Sequence, residues 1–126
     1  MTKKIIATTE APAAIGPYSQ ATEAHNLIFI SGQLPINPTT GEMVEADIER
    51  QTTQCLINME AILKGAGLEL SNVLKTTVLM ADLKQFAQMN AIYAGFFKEN
   101  PPARAAFEVK ALPKASLVKI EAIAAR

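Results

Sequence analysis

Val73-Leu-Lys-Thr-Thr-Val-Leu-Met80 is followed almost at once by Asp82-Leu-Lys-Gln85 and the apolar stripe Leu83, Phe86, Tyr93 and Phe97. The first stretch alternates as a strand does. Leu74, Thr76, Val78 and Met80 share one face, and Val73, Lys75, Thr77 and Leu79 the other. Asp82 and Gln85 have the spacing of a capping box, with Asp and Gln in place of the commoner Ser and Glu. They open a helix whose stripe is interrupted by Asn90. A further strand is expected from Arg104 to Ala111. Strand, helix and strand in that order favour parallel strands joined by a right-handed crossover.

Upstream, Ile48 to Ala66 is the clearest helix. Ile48, Cys55, Leu56, Met59, Ile62, Leu63 and Ala66 follow the 3–4 spacing of one face. Asp47 is its N-cap, and Gly65, Gly67 and Leu68 mark its end. Asn26 to Ser31 is a strand of β-branched and aromatic residues. His25-Asn26 turns a hairpin from a strand within Tyr18 to Ala24. A short strand is expected at Lys4 to Thr8. Leu34 to Met43, with its prolines and Gly41, is a loop. Downstream, Leu117 to Ala124 is the last strand, and Leu112 to Ser116 reads as a hairpin joining it to the strand that starts at Arg104. The order β-β-β-α-β-α-β-β predicts an α+β fold: a mixed sheet with two helices on one face. The other face, with Val73, Leu79, Leu117 and Ile123, has no cover from this chain, which points to an oligomer interface.

The 126 residues make a single domain, 1–126. Twelve Lys and Arg balance twelve Asp and Glu. That balance supplies no field to attract nucleic acid or an anionic membrane. One Cys, one His and no Trp exclude a disulfide framework and most zinc sites. No apolar run is long enough to span a membrane, and the N-terminus lacks a signal-peptide pattern, so a reducing cytoplasmic setting is expected. No glycine motif for phosphate is present. Carboxylates, Arg, Lys, Tyr and hydroxyls remain as reagents.

The polar residues that break the apolar pattern are the candidates. If the hairpin is centred between Leu112 and Pro113, Arg104 lies opposite Glu121 on the uncovered face. An exposed ion pair is one reading. The other is a site, with a guanidinium that grips a carboxylate and a carboxylate that handles a proton or water. Asn90 needs partners for its amide, and a backbone group of a neighbouring strand would serve. Tyr18 follows Gly16-Pro17 and reads as packing with a solvated tip. Ser31-Gly32 ends a buried strand, where Gly allows close approach of a neighbour or ligand, or simply a turn. Cys55 is a core thiol.

Gly16-Pro17-Tyr18-Ser19-Gln20-Ala21, Ile30-Ser31-Gly32-Gln33, Pro102-Ala103-Arg104 and Ile120-Glu121-Ala122-Ile123-Ala124 resemble the RidA/YjgF family of imine deaminases along essentially the whole chain. The resemblance implies a chorismate-mutase-like fold and a homotrimer whose sheets form a central barrel, with sites in the clefts between subunits. It implies hydrolysis of 2-imino acids or enamines, such as those released by pyridoxal-phosphate-dependent dehydratases, to 2-oxo acids and ammonia. No cofactor or metal is implied. Arg104 would bind the substrate carboxylate and Glu121 would position or activate the water. Tyr18, Ser31, Gly32 and Asn90 would line the pocket, with Phe86 in its wall. Ala106 stands where many members carry Cys, which removes any thiol chemistry at that position. Glu99-Asn100-Pro101-Pro102 is shorter than in some relatives. Two other functions compete: a non-catalytic trimer that senses 2-oxo acids or binds a partner, and a ribonuclease or translation inhibitor. The balanced charge argues against the second.

Overall fold

The computed structural model describes residues 1–126. In chain order the elements are β1 (Lys4–Ile6), β2 (Ala21–Ala24), β3 (Leu27–Gln33), α1 (Ile48–Gly65), β4 (Val73–Met80), α2 (Phe86–Phe96), β5 (Ala103–Glu108) and β6 (Val118–Ala125). The expected α+β layering is present. Six strands form one sheet in the order β1-β2-β3-β6-β4-β5. β4 and β5 are parallel and every other pair is antiparallel.

Local chemistry accounts for the elements. His25 and Asn26 hold φ of 52° and 64°, the left-handed pair that a tight hairpin between β2 and β3 requires. Asp47 caps α1 by accepting from the Arg50 N–H at 2.9 Å. α1 ends where Gly67 turns to φ 77° and the Leu68 N–H reaches back to the Leu63 carbonyl. Cys55, Leu56, Met59, Ile62 and Leu63 on α1 are fully buried. They meet Ile28 and Ile30 of β3, Val78 and Met80 of β4, and Val118 and Ile120 of β6 in one core. Each such side chain contributes about 1.5–3 kcal/mol relative to exposure.

Several expectations fail. β5 and β6 are not a hairpin, because β4 lies between them and pairs with both. Arg104 pairs with Thr76, and Glu121 with Thr77. Thr76 and Thr77 face opposite sides of the sheet, so within one chain Arg104 and Glu121 do too. The face assignment of β5 is inverted accordingly: Arg104 and Ala106 lie on the helix side, and Phe107 is 47% exposed on the open side. In β4, a bulge between Val73 and Lys75 moves Val73 into the core and leaves Leu74 52% exposed. The strands are also shorter or shifted: β1 ends at Ile6, β2 starts at Ala21, and Asp82 caps a 3-10 turn at Leu83–Gln85 before α2 begins. Asp82 accepts from the Lys84 N–H, so Gln85 closes no capping box.

The uncovered face is present, with Phe29 45% exposed and Phe107 beside partly buried Leu79. The chain end is tied down. Glu23 of β2 accepts from Arg126 Nε at 2.7 Å and Nη2 at 3.0 Å. That hydrogen bonding holds the Glu23 carboxyl below its ordinary value of 4.5. A depressed carboxyl stabilises the fold above its unfolded pKa, and the contribution is lost as pH falls through the folded one. Urea midpoints of the wild type should therefore fall faster below about pH 4.5 than those of Glu23→Gln. Parallel curves for the two proteins would show that the pair does not couple folding to protonation.

Candidate active site

On the open side, at the end of β3, a cavity of about 830 Å³ is lined by Tyr18, Ser31, Gly32, Lys119 and Glu121, with Pro12, Ile15 and Leu34 among its apolar rim. Its floor is an irregularity in the sheet. Ile30 pairs with Ala122 and Gln33 with Ile120, so β3 carries an extra residue at Ser31–Gly32 opposite Glu121. A bulge of this kind re-aims side chains and takes backbone out of the ladder. The Ser31 hydroxyl donates to the Ser19 carbonyl at 2.6 Å, which fixes the serine against the segment that carries Tyr18. A Cβ on Gly32 would lie 2.5 Å from Lys119 Cε, so the glycine leaves room for the lysine stem. Tyr18 is 53% exposed and Glu121 is exposed. Glu121 has no cation within ion-pair distance.

Three buried amides hold the walls. Gln20 accepts from the Thr8 N–H at 2.7 Å and donates to the carbonyls of Thr8, Ala11 and Pro12, shaping the loop before Tyr18. Asn58 of α1 donates to the carbonyls of Leu34 and Ile36 at 3.1 and 2.9 Å. Gln51 accepts from the Leu117 N–H at 2.8 Å. Gln51 and Asn58 were not singled out in the sequence, yet their spacing places them on the stripe of Cys55 and Ile62. A buried stripe that includes amides signals loops to be pinned.

Arg104, Asn90 and Phe86 assemble elsewhere, at the edge made by β5 and α2. Arg104 Nη1 donates to Asn90 Oδ1 at 2.7 Å. The Asn90 amide thus serves the guanidinium, where a strand backbone group was the expected partner. The guanidinium carbon lies 4.7 Å from the centre of the Tyr93 ring and 5.4 Å from that of Phe86. In the sequence Tyr93 is one more residue of the apolar stripe. It is buried, and its hydroxyl lies 2.6 Å from the Thr76 hydroxyl. Burial pushes its pKa up. Two rings and an amide fix the guanidinium plane, and no carboxylate of the chain pairs with it. Pro101 and Pro102 border this second concavity.

The sequence-derived candidates therefore fall into two groups on opposite sides of the sheet. Tyr18, Ser31, Gly32 and Glu121 share one cavity, and Arg104, Asn90 and Phe86 form the other cluster. Cys55 is buried and its thiol is pushed up by desolvation, in keeping with a core role. No three His, Cys, Asp or Glu side chains converge as metal ligands would. No helix is long and apolar enough to cross a membrane.

This fold and these motifs define the class: the chain belongs to the RidA/YjgF family. The family model described as Endoribonuclease L-PSP matches residues 8–126. Among its relatives, the 2-iminobutanoate/2-iminopropanoate deaminase of Mus musculus is 50% identical over 122 residues, 97% of this chain and 90% of that one. The RutC family protein y4sK of Sinorhizobium fredii is 54% identical over 118 residues, 94% of each chain. Among solved structures, the YjgF gene product of E. coli superposes with a TM-score of 0.92 at 50% identity, covering 98% of each chain. E. coli TdcF with bound serine gives 0.93 at 43% identity, again covering 98% of each.

The stacked guanidinium has a spectroscopic consequence. Ring currents from Phe86 and Tyr93 should shield the Arg104 side-chain resonances, and Phe86→Leu should reduce that shielding while Asn90→Ala preserves most of it. Resonances at ordinary arginine shifts in the wild type would show that the guanidinium does not rest on the rings.

Proposed function

We propose that the protein hydrolyses 2-imino acids and their enamine tautomers, such as 2-iminobutanoate and 2-iminopropanoate, to 2-oxo acids and ammonia. The observation that carries this reading is the pair of charges without partners: a guanidinium held in a fixed plane, and a carboxylate facing a bulge in a concave pocket. The deaminase names of the mammalian relatives agree with it. So does the serine bound in TdcF, an amino acid with the carboxylate and α-nitrogen of the proposed substrate.

Arg104 and Glu121 point to opposite sides of one sheet, so one chain cannot place both on one substrate. We infer that copies associate through the uncovered faces as a homotrimer with a central barrel. The β5–α2 edge of one copy then closes the cavity of the next. The exposure of Phe29 and Phe107 on that face supports this reading, since the arrangement would bury them.

In the assembled site, Arg104 takes the substrate carboxylate in bidentate fashion. Asn90, Tyr93 and Phe86 hold the guanidinium, and Tyr18, Ser31 and Gly32 wall the reacting carbon. Glu121 accepts a proton from water as its oxygen bonds to C2 of the iminium. It returns that proton to nitrogen, and the carbon–nitrogen bond then breaks as the hydroxyl oxygen becomes the carbonyl. The hydroxyl proton passes to Glu121 and on to the departing ammonia, so a 2-oxo acid and ammonium leave. An iminium is already a strong electrophile, and orientation supplies much of the rate. Imines of this kind arise when pyridoxal-phosphate-dependent dehydratases act on threonine and serine, so the protein would work after such enzymes, in the cytoplasm.

The test is imine trapping by semicarbazide beside a threonine dehydratase. Wild type should suppress trapping and release ammonia above the spontaneous rate. Arg104→Ala should lower kcat/KM about 100-fold, and Glu121→Gln by about 10²–10⁴-fold. When the two inactive variants are mixed and allowed to exchange subunits, about a quarter of the sites should regain both side chains. No recovery would rule out a site shared between copies. Binding of 2-oxo acids without turnover would instead identify a sensor, and RNA cleavage a nuclease.

A further inference from the structure

Lys119 has no part in the chemistry above, yet it projects into the same cavity as Glu121. The two are separated by one residue on β6, so their side chains leave the same face about 7 Å apart. The Lys119 stem runs across Gly32, where a Cβ would lie 3.3 Å from both Cγ and Cδ and 2.5 Å from Cε. The stem thus lies over the cavity floor at Gly32. Leu79 of β4 pairs with Lys119, so the flank toward β4 is apolar. The ammonium forms no ion pair, since the ion pairs of the chain are Arg50–Glu45 and Arg126–Glu23. It donates no hydrogen bond within the chain either: none of the side-chain bonds in the molecule involves it. Lys114 adds a second ammonium to the same lining, on a turn held at φ 57°. The cavity thus carries two cations against the one carboxylate of Glu121. A substrate whose only carboxylate is taken by Arg104 would leave Glu121 as the single counter-charge for both ammonium groups.

We propose that Lys119, supported by Lys114, forms a second anion subsite, and that the protein accepts 2-imino acids with an anionic side chain, such as 2-iminoglutarate. This rests on the reading of the site as an imine hydrolase. With C2 beside Glu121 and the first carboxylate on Arg104, the side chain of a five-carbon diacid extends along β6 toward position 119. Its second carboxylate then replaces water around the ammonium with a charge-assisted hydrogen bond. The apolar rim of the cavity still accepts the methyl and ethyl groups of smaller substrates, so the subsite broadens the substrate range. The bonds made and broken at C2 are unchanged.

The experiment measures kcat/KM for 2-iminoglutarate and 2-iminobutanoate, each generated in place by an amino acid oxidase, in wild type, Lys119→Met and Lys119→Arg. The quantity read is the ratio of diacid to monoacid. Lys119→Met should lower that ratio about tenfold, and Lys119→Arg should keep it near the wild-type value. Calorimetric binding of 2-oxoglutarate against 2-oxobutanoate should show the same change in ratio, so a loss of turnover through poor folding is recognised. A wild type that hydrolyses 2-iminobutanoate but not 2-iminoglutarate would overturn the subsite and leave the deaminase reading intact. An unchanged ratio in Lys119→Met would do the same. Failure on both substrates would overturn the deaminase reading and the subsite with it.

Discussion

The antiparallel zipper between β4 and β6 is the contact on which the rest of the molecule depends. Seven residues of β4 find partners on β6, from Val73 with Ala124 to Met80 with Val118. This pairing puts the last strand in the middle of the sheet. It seats Val118, Ile120, Ala122 and Ala124 under the helices, where all four are buried. It leaves β5 as an edge strand attached only to β4. It also sends Glu121 to the open face while Arg104, in line with Thr76, goes to the other. A site that needs both groups therefore follows from strand order toward an assembly of copies, before any interface is described.

The two halves of the proposed site are stabilised by different physics. The Glu121 half is built from backbone: a bulge at Ser31–Gly32, and loops pinned by Gln20, Gln51 and Asn58. Buried amides suit that task because each can satisfy several carbonyls and N–H groups that would otherwise be stranded away from water. The Arg104 half is built from side chains. Two aromatic rings and one amide oxygen orient a cation that no carboxylate neutralises. Both charges are exposed and lack ion-pair partners within the chain, and under the proposed reading a substrate would supply their counter-charges. The subsite proposed at Lys119 would follow the same logic elsewhere in the cavity.

The lone cysteine shows how little the reaction asks of the chain. Cys55 is enclosed by α1 and β6, and the position two residues beyond Arg104 is Ala106, packed against the core. Under the proposed mechanism an oriented carboxylate and guanidinium would suffice for attack of water on an iminium, so a composition with one His and one Cys is compatible with catalysis.

Much of the fold was legible in the residues themselves. Periodicity marked α1 and β4, the His25–Asn26 turn marked the β2–β3 hairpin, and Asp47 and Gly67 marked the ends of α1. These are local signals, set by backbone preference and by which side of one element is apolar. The motifs around Tyr18, Ser31, Arg104 and Glu121 likewise identified the family. What the sequence could not carry was which strands are neighbours. Leu112 to Ser116 looked like a hairpin because a short link between two strands usually is one. In the structure β4 lies between them, and its pairing with β6 seats Val118, Ile120, Ala122 and Ala124 in the core, a non-local contact that no local signal reports. Strand order then assigned the face of every residue on β5, placed Arg104 on Asn90, Phe86 and Tyr93, and separated it from Glu121. Side chains alternate in every strand, so their candidacy was written in the sequence, but which of them share a surface was a matter for tertiary structure.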